Sequence, residues 1–309
     1  MYKRQVPGNG KAFRTHARTL REMSATVACL AAAYLLTTEA VYAQKAAEHV
    51  RANLLTPATR LNPTFGHAGL NENGKETPDA IVDLVPLAEL TRALTFLGDS
   101  EAFTPDEQTV LQTWFKAAAD WLNTNRAALI ARDKQDHRGS AWLLLASAFA
   151  RFTRDENALE ANRKLFRSPT LRHQIRADGV FPQEVATANP YRNTLFNFDL
   201  LTGACQLLHS SFDPLWNHEL IDGVGLRIVA AYLYPLIAHP EQWPFVADAD
   251  HFRDLPGRRP GLLFTGRAYN RAEYVELWQK LPANIPEDLA GTFPIREPLL
   301  WTARAPHGL

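Results

Sequence analysis

Two short polar stretches hold the side chains that could move a proton. One runs through Lys134–Gly139 and contains Asp136, His137 and Arg138. The other runs from Asp178 to Leu208, where Glu184, Tyr191, Arg192, Asn193 and Asn197 crowd together before an apolar run. A histidine and a tyrosine can exchange protons with a reacting group when their acidity is tuned by neighbours. Arginine holds carboxylates in a bidentate fork, but its guanidinium does not deprotonate, so Arg138 and Arg192 can bind charge and cannot act as bases. Each residue also has a plainer use. His137 could cap a helix. Tyr191 could pack its ring and tie down its hydroxyl. Glu184 could bond a backbone amide, and Asn197 could be a structural hydrogen-bonder. His67, following Asn62-Pro63, is a further candidate for a ligand groove.

The elements that must position these groups read as helix after helix. Apolar positions recur at the 3.6-residue period over Phe13–Leu36, Tyr42–Leu54, Asp79–Leu97, Asp106–Arg132, Ser140–Phe152, Asn157–Phe166, Thr194–His209, Leu220–Ala238 and Arg271–Leu281. Thr104-Pro105-Asp106-Glu107 has an N-cap Thr, Pro at the first helical position and Glu three after the cap. Alternating strand patterns are almost absent, and no fixed-length repeat points to a solenoid. Serial helical hairpins in one domain over residues 13–309, after a flexible 1–12, predict an all-α fold: an (α/α) toroid, complete or partial, with its polar loops around a cleft. The loop from Asn62 to Pro78 is long enough to suggest function.

Composition excludes several classes. There are 33 Lys plus Arg against 33 Asp plus Glu, so no global field draws nucleic acid or a membrane surface. Any polyanion would need a local patch. Arg163, Lys164, Arg167, Arg172, His173 and Arg176 could supply one, or could be a solvated helix face. Cys29 and Cys205 both fall in apolar helical patterns and read as buried free thiols. The apolar run Ala25–Leu36 is too short to span a bilayer. Its stripe of Leu20, Met23, Val27, Leu30, Ala31 and Tyr34 favours a buried helix over a signal peptide. No CxxC, HExxH, GxGxxG or P-loop appears, so no metal or other cofactor is expected. Asp248 and Asp250 beside His251 are a weak exception.

The segment DGVFPQEVATANPYRNTLFNFDLL resembles the signature of the alginate lyase superfamily, "DG-x-x-P-x-E-L-A-R-T-x-x-Y-x-Y-S-x-F-N". YAQKAAEHVRANLLTPATRLNPTF, HRGSAWLLLASAFARFT, WPFVADADHFRDLPGRRPGLLF and FPIREPLLW are similar to further family segments, so the resemblance covers Arg14 to Trp301. It implies an (α/α) toroid that cleaves an acidic, uronate-containing polysaccharide by β-elimination, in the periplasm or outside the cell, without a metal. It also implies an Asn and an Arg that offset the uronate carboxylate, with a His and a Tyr sharing the proton transfers.

Aligned without a gap, the family's Asn-Asn-His-Gly falls on Asp136, His137, Arg138 and Gly139. The family's two tyrosines fall on Tyr191 and Asn193, and its Arg is absent where Ala186-Thr187-Ala188 stands. On this reading His137, Tyr191 and Arg138 are the catalytic candidates. Arg192, Glu184, Asn197, Asn193, His67, Asn62 and Asp136 are the substrate-binding candidates. A non-catalytic carbohydrate-binding relative is the alternative.

Overall fold

The computed structural model describes residues 14–66, 70, 74–250 and 252–303. The expected flexible segment 1–12 therefore lies outside the described residues. Among those described there is no strand, only an isolated antiparallel bridge between Leu70 and Glu76. Where the sequence suggests one domain over 13–309, the chain divides into two compact units. The first comprises residues 1–133, 148–154 and 299–309, and the second residues 134–147 and 155–298.

In the first unit, α1 (Arg14–Thr37) buries Leu20, Met23, Val27 and Ala31 of the stripe read from the sequence, leaves Leu30 and Tyr34 half-buried, and packs against α2 (Ala40–Val50). Cys29 falls off that stripe and is exposed, which corrects its expected burial. The expected helix over Asp79–Leu97 is interrupted before Pro86, giving α3 (Ala80–Leu84) and α4 (Pro86–Leu97), because proline offers no amide to the preceding turn.

The expected helix over Asp106–Arg132 is likewise two, α5 (Pro105–Thr124) and α6 (Arg126–Arg132). Asn125 breaks it. Its backbone is extended, and its Oδ1 accepts from the amides of Ala127 at 2.9 Å and Ala128 at 3.1 Å, so it caps α6. The start of the 62–78 loop is fixed by α5: the Trp114 indole donates to Leu61 O at 2.8 Å, and Phe65 sits edge-on to Trp114 and Trp121.

The capping box of α5 is formed in full, and Glu107 also takes Arg51 in a two-pronged pair at 2.5 and 2.9 Å. The Arg51 hydrogen bond, with the Thr104 amide, holds the Glu107 carboxyl down to about 2, against the opposing pull of burial. Glu107→Ala is expected to cost about 1–2 kcal/mol in urea unfolding. Because the folded-state pKa is depressed from 4.5, this stabilisation is present above about pH 4.5 and lost as pH falls toward 2. A variant whose stability tracks wild type across that window would refute the assignment.

The second unit opens with the first turns of α7 (His137–Thr153). It continues through α8 (Glu156–Leu165), the short α9 (Leu171–Gln174), the single turn α10 (Pro182–Val185), α11 (Pro190–Leu208), α12 (Leu226–Ala238), α13 (Pro260–Ala268) and α14 (Ala272–Lys280). The last helix, α15 (Leu299–Thr302), returns to the first unit. α11 is the core of the second unit. Leu195, Phe198, Leu200, Leu201, Ala204 and Cys205 are wholly buried, and burial pushes the Cys205 thiol well up. Its polar interior residue Asp199 meets Arg259, also without exposed surface, at 2.9 Å.

Candidate active site

α7 begins at His137 because two carboxylates satisfy its first free amides. Asp136 Oδ1 accepts from Arg138 N at 2.9 Å, and Glu184 Oε1 accepts from His137 N at 2.5 Å. Glu184 is delivered by α10, which Pro182 starts at its first helical position. Upstream, the Asp178-Gly179 turn closes with Arg176 N donating to Val180 O at 2.9 Å. Gly179 sits at φ +86°, and a Cβ there would fall 2.7 Å from Ile228 O, so only glycine fits.

The second oxygen of Glu184 lies 2.9 Å from His137 Nδ1. The glutamate has no exposed surface, while the imidazole keeps 18% of its side chain exposed. The carboxylate thus fixes Nδ1–H and the ring plane, and leaves Nε2 as the nitrogen available for a ligand. Burial works to lower the histidine's pKa, but the Glu184 hydrogen bond and charge outweigh it and raise it above its ordinary value. Glu184 is therefore corrected from a sugar-binding candidate to the residue that positions His137.

Arg138 folds back onto Asp136, with its Nε at 3.0 Å from Oδ1 and its Nη2 also bonded to Oδ2. Burial would raise the Asp136 carboxyl, but Arg138 holds it below its ordinary value. The two form a neutralised pair beside His137, and Asp136 acts as helix cap rather than as an open sugar acceptor.

Tyr191 is corrected as a catalytic candidate. It is fully buried, its hydroxyl donates to Leu236 O at 2.8 Å, and its ring lies against Trp243 and Phe252. Burial pushes its pKa well above the ordinary phenol value. Nothing in this placement offers the phenol to a substrate. Asn197 is also internal. It has no exposed surface, and its amide donates to Gln174 Oε1 at 2.9 Å, the oxygen that also receives Ser140 Oγ at 3.0 Å. It joins α11 to α7 and α9.

Arg192 and Asn193 stay partly exposed at the start of α11. Asn193 Nδ2 donates to Thr187 Oγ1 at 3.1 Å, and that hydroxyl donates to Glu184 O at 2.7 Å. This chain of bonds ties α11 to the turn that orients His137. Among the described residues the Arg192 side chain makes one long contact, Nη2 to Asp250 O at 3.5 Å, and its buried Nε has no partner. Its backbone amide is claimed by Asp248, which accepts from Tyr191 N at 3.2 Å and Arg192 N at 2.7 Å. Asp248 is thus an N-terminal cap supplied from 56 residues away. Asn62 is an exposed residue of the first unit, and His67 and His251 lie outside the described residues.

The basic stretch is neutralised. Arg163 and Arg167 pair with Asp213, Arg172 with Asp222, Arg176 with Asp178, and Lys164 with Glu160 at 3.6 Å. Most of the charge of this stretch is thus paired, with Arg163 and Arg167 sharing Asp213. Among the described residues no group of three or more His, Cys, Asp or Glu side chains is placed as metal ligands would be, and no helix is long and apolar enough to cross a membrane.

Sequence reasoning missed Gln174 and Thr187, and read Asp248 only as a weak metal candidate where it caps α11. No local pattern marks a residue whose role is to bond an element distant in the chain.

The alginate lyase family model matches residues 2–243, and the chain belongs to that family. A solved alginate lyase from Bacteroides ovatus, at 1.60 Å resolution, aligns with a TM-score of 0.82 and 22% identity over 97% of this chain and 78% of that one. At that identity the likeness carries the fold, which is all-α and of the (α/α) toroid class. No curated protein matches the sequence.

Proposed function

We propose that the chain is a polysaccharide lyase that cleaves a uronate-containing, alginate-like polymer by β-elimination, with His137 as its proton-transfer group. The observation that carries this reading is the 2.9 Å contact between His137 Nδ1 and the fully buried Glu184 carboxylate. Such a dyad leaves Nε2 basic and aimed by its partner, as general base catalysis requires. Arg192, which forms no ion pair among the described residues, offsets the uronate carboxylate and makes the C5 proton removable. Arg138 is excluded from that role by its pairing with Asp136.

With Tyr191 internal, one imidazole serves both transfers. Nε2 takes the C5 proton, the C4–O4 bond breaks as C4=C5 forms, and the proton returns to the departing oxygen. Asn193 lies next to Arg192 and contributes a polar contact to the sugar. A periplasmic or secreted location, as for the family, fits this substrate.

A non-catalytic carbohydrate-binding relative is the second reading. One observation favours it: the phenol of Tyr191 is bonded to Leu236 O and out of reach of ligand. The test is ultraviolet absorbance of the unsaturated product, with alginate, polyglucuronate and glycosaminoglycans as substrates. Absorbance that grows with time on at least one polymer is expected. Saturable binding of a polymer with no product on any of them would establish the second reading instead.

A further inference from the structure

The first unit contains a cavity of about 130 Å³ where the end of α4, the start of α5 and the end of α7 meet. Its apolar lining includes Leu94, Leu111, Phe103 and Phe152, and its polar lining includes Asp99, Gln108, Gln112 and Arg154. The two glutamines are held in place. Gln108 Nε2 donates to Gly98 O at 3.0 Å, and Gln112 Nε2 donates to Phe152 O at 2.9 Å. Each amide therefore has its Oε1 left as an acceptor. Arg154 is exposed, forms no ion pair among the described residues, and holds φ +58°, a left-handed backbone that a residue other than glycine adopts at a cost.

We propose that this cavity is a second carbohydrate site, separate from His137, that takes one pyranose unit. A sugar ring presents a C–H face and a periphery of hydroxyls that both donate and accept. The apolar lining suits the face. The glutamine oxygens suit hydroxyl donors, and the Arg154 guanidinium suits ring or hydroxyl oxygens. The volume is well below the roughly 300–1,000 Å³ of sites for drug-sized ligands, which excludes an extended chain. A ligand of that size binding at ordinary efficiency has a Kd of about a millimolar. Such a site would hold a chain end or branch without turnover, and it stands whether or not His137 is a catalyst.

The test is saturation-transfer NMR and calorimetric titration of the full chain with D-glucose, D-galactose and D-glucuronate. At least one should bind saturably near the millimolar range, with transfer strongest to the ring C–H protons. Arg154→Gly removes the guanidinium while relieving the left-handed backbone, so the fold is expected to persist with an unchanged melting temperature. It should weaken binding about tenfold, as should Gln108→Ala, while His137→Ala leaves it unchanged. No saturable binding of any of the three sugars would overturn the proposal. So would binding that survives both first-unit substitutions, or that disappears in His137→Ala.

Discussion

Asp199→Ala is expected to lower stability by about 3–5 kcal/mol, the range for removing one partner of a buried ion pair. Both side chains are wholly buried. Asp199 Oδ2 receives Arg259 Nη1 at 2.9 Å, and Oδ1 receives the Gly261 amide at 3.0 Å. Arg259 also reaches Leu255 O and Thr292 O, and its guanidinium lies 3.7 Å from the Phe293 ring centroid. Thus one carboxylate on α11 fixes the start of α13 and the Glu287–Thr292 turn. Burial pushes the Asp199 carboxyl up to about 6 in spite of Arg259.

Removing the carboxylate leaves a guanidinium in the core without a counter-charge. The melting temperature should fall on the order of 10 °C. The paired replacement Asp199→Leu with Arg259→Met should cost less than the sum of the two single changes, because neither charge is then left alone. A loss below about 1 kcal/mol for Asp199→Ala would show that water or repacking compensates the arginine.

This anchor shows which parts of the molecule were legible in the sequence. Thr104-Pro105-Asp106-Glu107 gave the start of α5 because cap, proline and glutamate act within one turn. The break at Asn125 was overlooked because apolar positions continue on both sides of it, although Asn123, Thr124 and Asn125 are weak helix formers that favour caps. The site divides the same way. His137 and Glu184 were both marked by residue type. Their pairing spans 47 positions, and no periodicity encodes it. Tyr191 read as a candidate because it stands among polar residues before an apolar run and falls on a family tyrosine. Its burial depends on Trp243, Phe252 and Leu236, which lie far along the chain. Asp199 sits in an apolar run that reads as pure core, and its partner Arg259 lies in a stretch that reads as loop.

His137→Ala is expected to reduce product formation by 10²–10⁴, the usual cost of losing a positioned proton-transfer group. Circular dichroism should be unchanged, because Asp136 still caps α7 and Glu184 still receives the residue-137 amide. The pH profile separates a base from a mere cap. Glu184 raises the histidine's pKa, so the neutral, proton-accepting form builds up only as pH rises through that raised value. The rate should climb along the same limb. Glu184→Gln removes the charge that raises it, and should move the limb to lower pH while lowering the maximal rate.

Stability carries the opposite sign. The His137–Glu184 attraction is fully present below about pH 6.5, the unfolded-state value, and is lost as pH rises through the folded one. Activity should therefore grow over the window in which this contribution to stability fades. Wild-type turnover in His137→Ala, or a limb that stays in place in Glu184→Gln, would leave His137 as a helix-terminal residue and transfer the chemistry elsewhere.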